Sequence, residues 1–271
     1  MIEGSGAPMA DALSTLGDDV GRPVTVSLDY RLVPILSEQM YHSPLKAIEE
    51  LVVNAYDADA AECRVFVPAP GEAGRSFVVV YDDGIGMDLK GLQDLWHIGR
   101  SHKRDAEIER RAKRLQIGKF GIGKLATYAI ADEVTYLSKK DGAILAVTLD
   151  FGKFFSAART GMADYVAASD NGTDGAPPFP ESDAGAGRVI DLTVRRIGDP
   201  LALAVDSCFR DACAAAGLDP HLLVVSPAPS WTFAILERLK PKATEIHPAR
   251  LRWILSTAMP LRGLSDNPLW G

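Results

Sequence analysis

Glu50, Asn54 and Asp57 are separated by four and three residues, a spacing that sets them in one row on a helix of about 3.6 residues per turn. An amide oxygen can take a place in the octahedral shell of Mg²⁺, and a carboxylate can orient a water for in-line attack, so the row suits a magnesium triphosphate. Glu49 is the neighbouring carboxylate, but it lies about 100° round the helix from Glu50 and is the weaker candidate. Rows of this kind are most often a solvated helix face. This one gains meaning from two glycine blocks downstream.

The first block is Asp82-Asp83-Gly84-Ile85-Gly86-Met87. Glycines at alternate positions let a backbone turn sharply and approach a flat base without a Cβ in the way. A buried carboxylate beside the turn is a natural acceptor for an exocyclic amine, and it discriminates against a carbonyl at that position. Taken alone, the block could be a plain β-turn; an EF-hand loop is poorly supported because its later oxygen ligands are absent. The second block is Gly118-Lys119-Phe120-Gly121-Ile122-Gly123, followed by Lys124 and a helical run from Leu125 to Ala131. Glycines leading into a helix N-terminus offer free N–H groups to phosphate, and Lys119 and Lys124 either add charge or are solvated. Neither a Walker loop nor a Rossmann fingerprint fits.

The elements that position these groups can be read from the same sequence. Ser43-Pro44 is a hydroxyl N-cap followed by proline at the first helical position. Leu45, Ile48, Leu51, Val52 and Ala55 then recur at helical spacing, which predicts an amphipathic helix from about residue 44 to 58. The β-branched and aromatic run from Ser76 to Tyr81 predicts a buried strand ending at Asp82. Strands are expected at 132–138, 143–150 and 188–195, a Gly/Asp/Pro/Ser-rich loop at about 168–187, and a helix from Leu201 to Ala216 ended by Gly217.

In their order, the three blocks resemble the GHKL (Bergerat-fold) ATPases, a family that includes DNA gyrase B, the 90-kilodalton heat-shock chaperones, histidine kinases, MutL and MORC proteins. The resemblance runs from about Val24 to Val194. It implies an α/β fold, an α+β two-layer sandwich whose mixed, largely antiparallel sheet is covered on one face by helices. It also implies that Glu50 is the general base, that Asn54 is the Mg²⁺ ligand, and that Asp57 supports the nucleotide indirectly. Asp82 becomes the adenine reader, Gly84 and Gly86 shape its turn, and Met87 is the apolar contact to the ring. Gly118, Lys119, Phe120, Gly121, Ile122 and Gly123 match the second glycine box, Gly-x-Phe-Gly-x-Gly, and Lys124 after it joins the nucleotide-binding set. The segment at about 88–117 corresponds to the ATP lid, and Ile98-Gly99-Arg100-Ser101-His102-Lys103 is similar to a Ser-x-Lys signature of MORC-like and related bacterial members, so Ser101 and Lys103 join the nucleotide-binding set. For residues 105–114, a charged surface helix with i,i+4 pairs is an equal reading, and a nucleic-acid contact has the least support.

Two departures stand out. Where many members have Gly-Thr on the last strand, this chain has Gly187-Arg188, with Thr193 an unaligned substitute. Lys240 and Lys242 are weak candidates for the distal lysine that a transducer domain supplies in gyrase-like members. The expected organisation is an N-terminal segment (1–23), the ATP-binding domain (24–198) and a helical C-terminal extension (199–271) leading into a downstream region. Leu201 to Ala216 reads as an insertion, because Ser230-Trp231-Thr232 followed by a helix resembles what comes soon after the last ATPase strand.

The chain has 271 residues, 47% hydrophobic and 24% charged, with a net charge of −7, enough for a sizeable core and unlike a nucleic-acid coat protein. Three cysteines, Cys63, Cys208 and Cys213, lack metal-ligand spacing, which fits a reducing cytosol. No signal peptide or membrane span is expected, and the location read from this is cytoplasmic. The leading expectation is a slow ATPase that takes ATP and Mg²⁺ and uses the nucleotide as a conformational or dimerisation switch, with a homodimer, an effector domain or a partner protein coupled to it. The alternatives are a histidine-kinase-like phosphotransferase, for which His42 is the one upstream histidine, and a non-hydrolysing nucleotide sensor or scaffold.

Overall fold

The computed structural model describes residues 8–29, 43–69, 77–98, 123–157, 160, 186–225 and 230–258. A seven-stranded sheet organises them, in the order β1-β9-β7-β6-β10-β4-β3. Its members are β1 (Gly17–Asp19), β3 (Cys63–Phe66), β4 (Phe77–Asp82), β6 (Ala131–Lys140), β7 (Ala143–Asp150), β9 (Val194–Ile197) and β10 (Ser230–Leu239). Every neighbouring pair in it is antiparallel. A second sheet of three strands places β2 (Val24–Asp29) between β5 (His97–Ile98), to which it is parallel, and β8 (Ala186–Leu192), to which it is antiparallel. The architecture is therefore α/β with a mixed, largely antiparallel strand set.

Side chains of a strand alternate between the two faces of its sheet, and that alternation divides the core in two. Val78 and Val80 of β4, Val134 and Tyr136 of β6, and Ala234 and Leu236 of β10 share one cluster. Helix α2 (Pro44–Asp57) buries Ala47, Ile48, Leu51, Val52 and Ala55 on that face. Helices α3 (Leu89–Leu95) and α7 (Pro248–Ala258) contribute Leu92 and Leu251 to the same cluster.

The opposite face is covered as well, where a single helical layer was expected. Val79, Tyr81, Trp231, Phe233 and Ile235 pack there against α1 (Met9–Leu16), α4 (Pro200–Val205), α5 (Ser207–Ala215) and α6 (Pro220–Val225). The outward residues of β4 and β10 are themselves large and apolar, so a bare face would expose Trp231 and Phe233 to water.

Three local differences have clear causes. The helix expected over 201–216 is split, because Asp206 adopts an extended backbone and accepts a hydrogen bond from the Phe209 N–H at 3.0 Å, capping α5. The 188–195 strand is also split: β8 and β9 belong to different sheets. Within the stretch 199–271, expected to be a helical extension, Ser230–Leu239 is a strand between β6 and β4. Its run Trp231-Thr232-Phe233-Ala234-Ile235-Leu236 is buried throughout, as a central strand with both faces covered must be.

Candidate functional site

Helix α2 starts as its sequence requires, with Pro44 in the first turn after an extended Ser43, although the Ser43 side chain makes no capping hydrogen bond. It ends where the Ala58 N–H donates to Asn54 O at 3.0 Å and Asp59 turns left-handed, φ 57°. With Ile48, Leu51, Val52 and Ala55 directed into the core, the half-buried Glu50, Asn54 and Asp57 lie along the edge of α2. Glu49 is held by Lys46 at 2.7 Å, an ion pair that raises the lysine's pKa through that hydrogen bond. A 3-10 helix, Gly123–Ala129, packs against α2, beginning at the last glycine of the second block instead of at Leu125.

The Gly84–Met87 turn is held from three sides. The Ile85 N–H donates to Ala58 O at the end of α2 (2.9 Å), Ser230 Oγ donates to Gly84 O (2.6 Å), and the Met87 N–H donates to Ser138 Oγ (2.8 Å). Close approach explains both glycines. A Cβ on Gly84 would stand 2.7 Å from Ala58 O and 2.8 Å from Asp82 Oδ1. Gly86 has φ +61°, and a Cβ there would overlap the Lys139 carbonyl oxygen.

At the head of this turn lies Asp82, buried, with its carboxylate accepting the Gly84 N–H at 2.9 Å. Burial pushes its pKa up to about 7, against the opposing effect of the Gly84 hydrogen bond. The cross-strand register sets Ser138 opposite Thr232 and Thr232 opposite Asp82. All three are buried, and all three continue the alternation of the α2-facing residues on their strands. Ser138 Oγ and Thr232 Oγ are 3.1 Å apart, and Ser138 Oγ also donates to Trp231 O at 3.0 Å. A carboxylate and two hydroxyls thus form a polar row at the end of an otherwise apolar face, beside the polar edge of α2.

Similarity to known proteins gives a family for this part of the chain. Residues 41–170 match the family described as histidine kinase-, DNA gyrase B-, and HSP90-like ATPase. The chain carries a GHKL ATPase-family domain. Its relatives include ATPase morc-1 of Caenorhabditis elegans, 32% identical over 136 residues, which are 50% of this chain and 15% of that protein. Chaperone protein HtpG of Methylorubrum extorquens is 31% identical over 137 residues, 41% of this chain and 22% of the chaperone. DNA mismatch repair protein MutL of Endomicrobium trichonymphae is 34% identical over 71 residues, 26% of this chain and 11% of that protein. The matched stretches thus span less than a quarter of each relative's length.

Within the GHKL domain, the structure brings together Glu50, Asn54 and Asp57 on α2 with Asp82, Gly84, Gly86 and Met87 on the turn. Gly123 and Lys124 open the 3-10 helix, without a described Lys124 side chain. Ser101, Lys103, Gly118, Lys119, Phe120, Gly121 and Ile122 lie outside the described residues, as does His42.

The sequence reading missed Ser138, Ser230 and Thr232. Arg188, at the Gly187-Arg188 position, is on β8, opposite Ser27 of the small sheet, and Thr193 is exposed between β8 and β9. Thr232 takes the position beside Asp82. The signal was present in Ser230-Trp231-Thr232, whose alternation points Thr232 to the side opposite Trp231. Lys240 is engaged elsewhere: its Nζ sits 2.7 Å from the centre of the Tyr128 ring and 3.4 Å from Asp132.

Proposed function

We propose that this GHKL domain binds ATP with Mg²⁺ and hydrolyses it slowly, using the bound nucleotide as a conformational or dimerisation switch. The observation that carries the reading is the junction at Ala58 O. One hydrogen bond from Ile85 ties the helix bearing Glu50, Asn54 and Asp57 to the turn bearing Asp82, so groups suited to the two ends of a nucleotide belong to one braced unit.

In this reading Asp82 accepts from the adenine amine, and Thr232 and Ser138 complete the polar floor beneath the base. Gly84 and Gly86 admit the ring edge, and Met87 packs against it. Asn54 supplies an oxygen to Mg²⁺. Mg²⁺ is commonly held by one or two protein oxygens together with phosphates and water. When bound, Mg²⁺ neutralises charge on the phosphates. Glu49 is occupied by a 2.7 Å ion pair with Lys46, on which Glu50 acts only through its charge; Glu50 is the carboxylate assigned to hold a water. Gly118 to Lys124, with Ser101 and Lys103, complete the phosphate side. No described helix is long and apolar enough to cross a membrane.

Phosphate release from ATP with and without Mg²⁺ tests the assignment. Magnesium-dependent turnover lost in Glu50→Gln is the expected result. Binding without turnover in the unaltered protein would replace it with a nucleotide sensor, and absence of adenine-nucleotide binding would remove it altogether.

A further inference from the structure

Helices α4, α5 and α6 occupy the stretch between β9 and β10 and have no part in the nucleotide reading. They are firmly seated. Lys139, buried on β6, donates from Nζ to Leu223 O and Val224 O at 3.2 and 3.4 Å, and Trp231 Nε1 donates to Leu223 O at 3.1 Å. Arg64 of β3 reaches Ala216 O and Gly217 O at 3.0 and 2.7 Å beyond α5. The inner sides of these helices bury Leu203, Ala204, Phe209, Ala212, Cys213, Leu223 and Val224.

Their outer side is unusual. Leu201 and Val205, one turn apart on α4, are 54% and 61% exposed, and Leu222 and Val225, also one turn apart on α6, are 67% and 64% exposed. Helices α4 and α6 pack together. These are four of the six large hydrophobic residues that are exposed among the described residues. A cavity of about 480 Å³ opens beside Val205, between the end of α4 and the turn into α6. Isolated exposed hydrophobics are ordinary, but two pairs of them on two helices that pack together make a candidate interaction surface.

The charge around that surface selects its occupant. Residues 199–225 contain Asp199, Asp206 and Asp219, which cap the three helices, and Asp211, against the cation Arg210; Arg64, which reaches the layer from β3, is paired with Glu62. Asp199, Asp211 and Asp219 are exposed. A second copy docking face to face would bring the same aspartates against themselves. Anionic lipid and nucleic acid would be repelled for the same reason. A basic amphipathic helix satisfies both properties, apolar side to the leucines and valines, lysines or arginines to the rim.

We propose that the α4–α6 layer is a docking surface for a basic amphipathic helix of a partner protein. The surface is preformed and needs no nucleotide, so its test stands apart from that of ATP binding. The probe is a fluorescein-labelled synthetic helix built from Leu and Lys, with its leucines on one face, titrated with the full chain and followed by anisotropy. Two controls replace Lys by Glu or scatter the leucines. Specific binding should be weakened by salt and at least about ten-fold by Leu222→Ser combined with Val225→Ser. Trp253→Ser, at another exposed apolar residue (66%), should leave it unchanged. Unaltered circular dichroism and melting in both variants excludes unfolding, and Leu201→Ser combined with Val205→Ser provides a second pair should the first not fold. No binding of the Leu/Lys helix, equal binding of the Glu version, or full affinity in the folded patch variants would overturn the proposal.

Discussion

Replacing Asp82 by Asn should stabilise the protein at high pH while weakening adenine-nucleotide binding, two effects of opposite sign from one oxygen. The carboxyl is raised from 3.8 to about 7 by burial. At about 1.4 kcal/mol per pKa unit, that shift opposes ionisation by roughly 4 kcal/mol. The sign follows from proton uptake: between 3.8 and about 7 the folded chain retains a proton that the unfolded chain has released. Stability from this group is therefore fully present below 3.8 and declines as pH rises through about 7. Asparagine has no charge to bury, and its side-chain oxygen can still accept the Gly84 N–H. The stability gap between Asp82→Asn and the unaltered protein should widen by roughly 3 kcal/mol between about pH 5 and pH 8. Glu237, also raised to about 7 by burial, titrates in both proteins and cancels from the difference. Urea unfolding at the two pH values measures the gap, and calorimetry with a non-hydrolysable ATP analogue measures affinity, which should fall about ten-fold or more. Parallel pH curves would refute the burial argument. An unchanged affinity would show that the base is read elsewhere.

Glu50→Gln should abolish phosphate release while ATP affinity stays within a few-fold, because the carboxylate acts on water; full turnover in a malachite-green assay would return Glu50 to a surface role. Thr232→Val keeps the strand's shape and removes the hydroxyl beside Asp82, so ATP-analogue affinity should fall, by about two- to ten-fold in calorimetry, with a much smaller change in melting temperature. Gly86→Ala should cost about 3 kcal/mol or more in urea unfolding, since it adds left-handed strain to overlap with the Lys139 carbonyl; a wild-type midpoint would mean that the turn relaxes freely. In the unaltered protein, adenine-nucleotide affinity should rise roughly ten-fold from about pH 6 to pH 8 as Asp82 ionises, and a flat profile over that interval would indicate that protonated Asp82 serves equally well.

Much of the candidate site was readable along the chain because its parts are local. The spacing of Glu50, Asn54 and Asp57 needs only helical periodicity, and α2 runs from Pro44 to Asp57 as its apolar pattern requires. The glycines of the Asp82 turn announce a tight backbone, and the structure supplies the particular neighbours, Ala58 and Lys139, that forbid a side chain there. Strand order was a different matter. A strand's sequence reports which residues share a face, but which strand lies beside it depends on the packing of the whole sheet. So β10, separated from β9 by three helices, comes to lie against β4 and places Thr232 opposite Asp82, while the closer-numbered Arg188 is drawn into the small sheet by its pairing with Ser27. The second helical layer was hidden for the same reason: the apolar residues on both faces of β4 and β10 call for cover, and only the tertiary structure decides that α1 and α4–α6 provide it.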